Sequence, residues 1–166
     1  MNNYQNVKSK DDLLLVNNKK ENKMNILLAG SQKEIIGSIY YCVGLNMLEE
    51  VNIPLESIEV IKNLLKRFKK PLLIENFFLY EDYRGKGYSK RILESLDDEL
   101  NKENIDYVFL FPYPLYCNNE HERLKRLKVL IQLYKDCGYE LQGAFESLNS
   151  PIPIGVIYGK ELADRN

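Results

Sequence analysis

A chain of 166 residues with 45% apolar residues has the size of one domain with a single core. Its formal net charge of -1 excludes a global electrostatic pull toward nucleic acid or an anionic membrane. The polar start, Met1-Asn2-Asn3-Tyr4-Gln5-Asn6, does not read as a signal peptide, and no apolar run approaches a membrane span, so a cytoplasmic protein is expected.

In the first half, Asp11-Asp12-Leu13-Leu14-Leu15-Val16 is the only apolar cluster before residue 24. The polar run Asn17-Asn18-Lys19-Lys20-Glu21-Asn22-Lys23 after it reads as a loop. Residues 25–29 and 35–43 read as two strands around the turn Ser31-Gln32-Lys33-Glu34. Gly37 and Gly44 mark a close approach or a bulge in that pair. A helix is expected over residues 54–70, with Pro54 near its first turn and Ile58, Ile61, Leu64, Leu65 and Phe68 on its apolar stripe. It ends Lys66-Arg67-Phe68-Lys69-Lys70, with Lys62 a turn earlier. A basic stripe with an aromatic residue is one pattern of nucleic-acid binding. Cations at a helix C-terminus are also favoured by the helix dipole, so a solvated face is the reading adopted, with Phe68 in the core.

The most informative stretch follows. The strand Leu73-Ile74-Glu75-Asn76-Phe77-Phe78-Leu79-Tyr80 feeds the turn Glu81-Asp82-Tyr83 and then Arg84-Gly85-Lys86-Gly87-Tyr88-Ser89-Lys90. A helix begins at once, with Ile92, Leu93, Leu96 and Leu100 on one stripe and Glu94, Asp97, Asp98 and Glu99 facing solvent. The first N–H groups of a helix lack intrahelical partners, and its dipole places about half a positive charge there. Glycines let a phosphate approach such a helix start, and Arg84 and Lys86 add full charge beside it. Spacing narrows the ligand. Gly30 and Gly37 have the Walker A gap, but Ser38 stands where Lys is required, and Lys90 stands at the third glycine of the dinucleotide pattern.

Residues 107–111 read as a strand, followed by the stiff, aromatic link Pro112-Tyr113-Pro114-Leu115-Tyr116-Cys117-Asn118-Asn119. A helix from about Glu120 places Leu124, Leu127, Leu130, Ile131 and Tyr134 at three- and four-residue intervals, and Gly138 ends it in a left-handed conformation. Residues 140–145 and 154–160 read as a hairpin joined by Ser147-Leu148-Asn149-Ser150-Pro151. Cys42, Cys117 and Cys137 form an odd set without Cys-x-x-Cys spacing, so free thiols are expected. With the single His121 they make no zinc pattern, and no metal is expected.

Arg84-Gly85-Lys86-Gly87-Tyr88-Ser89 after Ile74-Glu75-Asn76-Phe77-Phe78-Leu79 resembles the acyl-CoA signature of the GNAT N-acetyltransferase superfamily, Arg/Gln-x-x-Gly-x-Gly/Ala after Ile-Glu-x-Φ-x-Φ. Leu133-Tyr134-Lys135-Asp136-Cys137-Gly138-Tyr139 resembles the end of that superfamily's last helix, with Tyr139 where Phe is usual. The order strand, helix, strand, helix, strand, strand after Leu72 is similar throughout. The resemblance implies an α+β fold with a mixed, mostly antiparallel sheet flanked by helices and splayed between its fourth and fifth strands. It implies one domain over residues 1–166, in which residues 1–23 match poorly and the helix at 54–70 is an insert. In the family a first strand and two helices wall the acceptor side before the first hairpin, and little room exists for them here.

The resemblance also implies chemistry: transfer of an acetyl group from acetyl-CoA, as co-substrate, to an amine that attacks the thioester directly. Phe77, Phe78 and Leu79 would pair with the pantetheine arm through their backbones. Backbone amides of Gly85, Lys86, Gly87, Tyr88, Ser89 and Lys90 would hold the pyrophosphate, beside Arg84. Tyr134 matches the usual acid for the leaving thiolate; its bland reading is a core aromatic. Glu75 would relay the amine proton or bind a cationic substrate, and strand alternation puts it on the face of Phe77 and Leu79. Glu120, His121 and Glu122 start the later helix within possible reach of the acceptor. Leu127 and Leu130 depart from the pattern, standing where Asn and a small residue are usual. Tyr113 and Tyr116 are candidate acceptor contacts, and Cys117 lacks the partners of a nucleophile. The acceptor is open between a polyamine, an aminoglycoside-like compound, a protein N-terminus and a lysine, with a monomer or homodimer expected and no membrane or nucleic-acid partner. The alternative is a CoA-binding module that has lost turnover and acts as a regulator.

Overall fold

The computed structural model describes residues 13–30, 33–44, 55–146 and 154–162. Along the chain run β1 (Leu13–Asn18), β2 (Lys23–Leu28), β3 (Glu34–Val43), helix α1 (Leu55–Leu65), β4 (Pro71–Leu79), a 3-10 turn (Glu81–Tyr83), α2 (Tyr88–Lys102), β5 (Tyr107–Leu110), α3 (Glu120–Asp136), β6 (Glu140–Glu146) and β7 (Ile154–Glu161). The strands make one seven-stranded sheet in the order β1-β2-β3-β4-β5-β7-β6. Neighbours are antiparallel except β4 and β5, which are parallel. The α+β class and the mixed, mostly antiparallel sheet expected from the sequence are present.

β5 shows how the two sides of the sheet are filled. Its four residues, Tyr-Val-Phe-Leu, are all buried, the pattern of a strand covered on both faces. Val108 and Leu110 join one apolar cluster with Ile92, Leu93, Leu96 and Leu100 of α2 and Tyr134 of α3. Tyr107 and Phe109 join the other, with Ile61, Leu64 and Leu65 of α1. Helices α2 and α3 therefore cover one face and α1 the opposite one. The four α2 side chains are at most 1% exposed. Each such burial is worth about 1.5–3 kcal/mol, so the stripe holds α2, and with it the loop that opens α2, firmly on the sheet.

The N-terminal half differs from expectation. The polar run after Val16 is not a loop throughout. Asn17 and Asn18 finish β1, Lys23 begins β2, and only residues 19–22 separate the two. Residue by residue pairing from Leu13↔Leu28 to Asn18↔Lys23 supplies the ladder that a polar sequence does not announce. Tyr41 Oη donates to Asn17 Oδ1 at 2.6 Å, which gives the asparagine a partner inside the sheet. The two helices that the resemblance would place between β1 and β2 do not fit in that turn. The expected helix at 54–70 is observed as α1, and it ends by Leu65. Phe68, just beyond it, stacks on Tyr107 with ring centroids 4.0 Å apart, while Lys62, Lys66, Arg67 and Lys69 are exposed. These basic residues thus face solvent, while Phe68 packs against the apolar cluster under α1. Pro54, residues 1–12, Ser31, Gln32 and the link Ser147-Leu148-Asn149-Ser150-Pro151 lie outside the described residues.

α3 also differs. Its five periodic apolar positions do not form a buried stripe. Leu124 is 49% exposed, and Tyr134 alone among the helix residues is buried. Periodicity identifies an apolar face but not what covers it, and here only the C-terminal turns reach the sheet. Cys42 and Cys137 are buried, Cys117 is half-buried, and all three thiols are free. Among the described residues, no helix is long and apolar enough to cross a membrane.

Gly37 pairs with Leu79 across β3 and β4, and a Cβ there would meet Phe78 O of the neighbouring backbone. A main-chain atom in a central ladder cannot swing aside. Gly37→Ala is expected to lower the unfolding free energy by about 1–3 kcal/mol, the usual cost of overpacking, read from urea denaturation.

Candidate active site

The site begins with a mismatch in length. β4 and β5 pair only from Pro71↔Tyr107 to Ile74↔Leu110, yet β4 runs on to Leu79. Among the described residues no strand pairs with the β5 side of residues 75–79, so that edge has backbone donors and acceptors that no ladder uses. The chain after β5 cannot close the gap as a strand would, because Pro112 and Pro114 have no N–H to give to a ladder. The expected splay between the fourth and fifth strands is therefore present.

Glu75 stands at the start of the opening. The register between β3 and β4 shifts there, from Tyr40↔Asn76 to Tyr41↔Ile74, leaving Glu75 as the extra residue of a bulge. Simple alternation put Glu75 on the face of Phe77 and Leu79. Phe77 and Leu79 pack into the same cluster as Leu72 and Ile74, so the alternation slips by one residue at Glu75. Glu75 itself is exposed. Phe78 stacks on Tyr40 with centroids 6.3 Å apart.

The loop after β4 is built by two left-handed glycines, Gly85 at φ 69° and Gly87 at φ 80°. Gly87 is the N-cap of α2 and has no side chain with which to cap it, so the first amides of the helix are left open. No atom lies within 4 Å of a Cβ built at either glycine, so backbone conformation, not crowding, demands glycine here. Arg84, Lys86 and Lys90 are exposed, Ser89 is half-buried, and Tyr88 is buried under the loop. Open amides, the positive end of a 15-residue helix and three cations make a site for an anion.

Internal contacts shape the loop. Arg84 Nε donates to Leu79 O at 2.8 Å, tying the loop to the end of β4. Lys86 Nζ lies 5.7 Å from the Tyr83 ring centre. A hydrogen bond to the Glu34 carboxylate, helped by desolvation, raises the Tyr83 phenol to about 12 and links the loop to β3. The Arg84 guanidinium carbon also lies 5.3 Å from the ring centre of Tyr116, on the chain between β5 and α3. Tyr116 has φ 58°, costly for a residue with a Cβ, and is 74% exposed. This contact joins the two lips of the opening. Sequence reading marked both residues separately but contained no signal for their pairing.

The same chain borders an open hollow of about 320 Å³, lined by residues 113–120 and Arg123. Asn119 caps α3 by accepting from Glu122 N at 2.8 Å, and Glu122 Oε2 accepts from Asn118 N at 3.0 Å. Arg123 is paired with Glu120, so these charges neutralise each other at the rim of the hollow. His121 is exposed, and the Cys117 thiol points only to the carbonyls of Pro114 and Leu115. Tyr134, at the other end of α3, lies in the cluster that also holds Ile74, Leu79, Tyr88 and Leu110. Its ring meets Tyr139 edge-on at 5.6 Å, and burial raises its phenol well above the ordinary range. The acidic residues of α2 are not all solvent-facing as expected. Asp97 is partly buried and paired with Lys160 of β7.

No family model and no curated protein sequence matches this chain. Solved structures do. A GNAT-family acetyltransferase from Bacillus anthracis superposes with a TM-score of 0.52 at 11% identity, over 84% of this chain and 66% of that one. An acetyltransferase from Bacillus subtilis in complex with CoA gives 0.51 at 12% identity, over 86% and 79%. An agmatine N-acetyltransferase in apo form gives 0.59 at 12% identity, over 85% and 74%. The chain therefore has a GNAT-like fold.

The left-handed glycine at the helix start allows a structural test. Gly87→Ala is expected to cost about 1–2 kcal/mol through backbone strain alone, with no displaced neighbour, as measured by urea unfolding.

Proposed function

We propose that this chain is an acetyl-CoA-dependent N-acetyltransferase acting on an amine. The observation that carries the reading is the meeting of two features at the end of β4: an unpaired strand edge and an uncapped, glycine-opened helix start. The edge suits an extended chain bearing amides, and the helix start suits a pyrophosphate. CoA is one molecule with both. The resemblance to a CoA complex from Bacillus subtilis supports the cofactor class, and the resemblance to an agmatine N-acetyltransferase supports an amine acceptor.

Each residue then has a role. Backbone groups of Phe77, Phe78 and Leu79 pair with the pantetheine arm. The amides of Gly85, Lys86, Gly87, Tyr88, Ser89 and Lys90 hold the pyrophosphate, with Arg84 beside them. Acetyl-CoA supplies an activated acyl thioester. Glu75, exposed at the bulge, takes a proton from the acceptor ammonium through water, or binds a cationic acceptor. The amine nitrogen forms its bond to the carbonyl carbon, and the carbon–sulfur bond breaks. Tyr134 gives its proton to the departing thiolate and recovers one from the new amide nitrogen. A phenol is protonated at neutral pH, as an acid requires; burial raises the Tyr134 pKa further, which by itself makes it a weaker donor. Tyr113 and Tyr116 contact the acceptor.

Calorimetry with acetyl-CoA, beside a CoA-release screen over polyamines, aminoglycosides and peptides with free N-termini or lysines, tests the proposal. Binding with release supports the enzyme. Binding without release across the panel supports a regulatory CoA-binding module instead. Gly87→Glu places a carboxylate in the phosphate site, and loss of acetyl-CoA binding by the folded variant is expected. Unchanged affinity would remove the cofactor assignment.

Tyr134→Phe keeps the ring and loses only the hydroxyl. It should lower kcat by roughly one to three powers of ten, with acetyl-CoA affinity nearly unchanged. Full activity with chemistry rate-limiting would exclude Tyr134 as the acid. Glu75→Gln should shift the pH profile if Glu75 relays the proton, and mainly raise the acceptor KM if it binds a cation.

A further inference from the structure

The last turn of α3 is held by a charge from another element. Lys160 of β7 donates from Nζ to Cys137 O at 2.8 Å, the carbonyl of the residue that caps α3. The same ammonium is ion-paired with Asp97 of α2 and lies 5.8 Å from the centre of the Tyr139 ring. Tyr139 in turn packs edge-on against Tyr134, and its N–H donates to Tyr134 O at 3.0 Å. The left-handed Gly138 lets the chain pass close to this lysine: a Cβ at Gly138 would stand 3.3 Å from Lys160 Cε. One ammonium thus connects α2, whose other end forms the anion site, to the turn that carries Tyr134.

The arrangement is a costly way to fasten a helix. The Lys160 and Asp97 side chains are only 21% and 23% exposed, and one Asp97 oxygen is buried without a hydrogen-bond partner among the described residues. Burial, with the charges of Asp98 and Glu94, holds the Asp97 pKa above its ordinary value although Lys160 lowers it. Such a pair is weak evidence for stability, because an apolar pair of similar volume often does as well. What it supplies is a directed contact to one carbonyl, which apolar packing cannot give. α3 needs one, since it buries little of its own surface and is anchored chiefly at this end.

We propose that Lys160, held by Asp97, is a positioning residue for Tyr134: it pins the end of α3 to α2 and so sets where the phenol stands relative to the anion site. This rests on the reading of Tyr134 as the acid for the leaving thiolate. Its effect passes through Tyr134, so it touches neither the acetyl-CoA phosphates nor the acceptor.

The test uses the full chain with Asp97→Asn and Lys160→Met combined. Lys160→Met alone would strand a buried carboxylate and endanger the fold, whereas the double variant leaves no unpaired charge. Cys137 is 7% exposed in the pinned turn, and Cys42 is 4% exposed on the opposite side of the sheet. Site-resolved alkylation by iodoacetamide therefore reports on the turn without any ligand. Cys137 is expected to react about tenfold faster or more in the double variant, while Cys42 stays as protected as in the parent. With the panel amine that gives the fastest CoA release, kcat should fall about ten- to a hundredfold at unchanged acetyl-CoA affinity, the cost of a small misplacement. In a Tyr134→Phe background the same double change should lower kcat no further. Parent-like protection of Cys137 would overturn the pinning. An equal loss of kcat in the Tyr134→Phe background would overturn the coupling to Tyr134. A fully active Tyr134→Phe would instead refute the acid reading, and alkylation would still decide whether Lys160 fixes the turn.

Discussion

The structure depends on one constraint: the parallel pairing of β4 and β5 stops at Ile74 and Leu110 while β4 continues. Two local features enforce it. Pro112 and Pro114 deny the outgoing chain the N–H groups a ladder needs, and the extra residue at Glu75 bends β4 away from its earlier line. A parallel pair must be joined by a crossover, here α2, which packs its stripe back onto the sheet. The helix N-terminus is thereby brought to the end of β4, beside the unpaired edge. Free backbone groups and the helix dipole meet at one place because the strands cannot stay together there.

The two faces of the sheet have different work. Beneath α1, aromatic and aliphatic side chains such as Phe68, Tyr107 and Phe109 form an apolar layer. Tyr107 even buries its hydroxyl over Gly159, where a side chain would not fit. The α2 and α3 side holds Tyr134, Tyr139, Cys137 and the Asp97–Lys160 pair. Buried polar groups stabilise less than apolar ones of equal volume, but they fix direction. Their gathering on the face shared by the anion loop and the end of α3 is consistent with a site in which a phenol must be aimed.

In the N-terminal half, β1 and β2 form a hairpin. Only residues 19–22 join β1 to β2, and α1 covers the far face near β6, with Val60 close to Gly143. The opening above β4 is bordered on the other side by the aromatic chain between β5 and α3. Under the proposed function, acceptor recognition falls to that chain, and Tyr116 against Arg84 makes it continuous with the anion loop.

Much of this was legible in the sequence because the deciding interactions are local. Gly85 and Gly87 must be glycines for reasons of their own dihedral angles, and the helix stripe from Ile92 to Leu100 is a matter of spacing. The resemblance to the GNAT signature lay in the same contiguous stretch, and the fold agrees with it. What failed were inferences that depend on residues far apart. β1 extends through Asn17 and Asn18 because β2 and Tyr41 offer partners, not because asparagine favours strands. The bulge at Glu75 has no signal in β4 itself, because β3 imposes the register. Asp97 looks like its solvent-facing neighbours until Lys160, 63 positions later, comes to lie against it. Backbone dihedrals and helical period act within a few residues, so sequence alone determined the loop, the helices and the order of the elements after Leu72. Register, burial and charge pairing are properties of surfaces that meet only after folding, so the tertiary structure alone decided the bulge, the opening and the pin on Tyr134's turn.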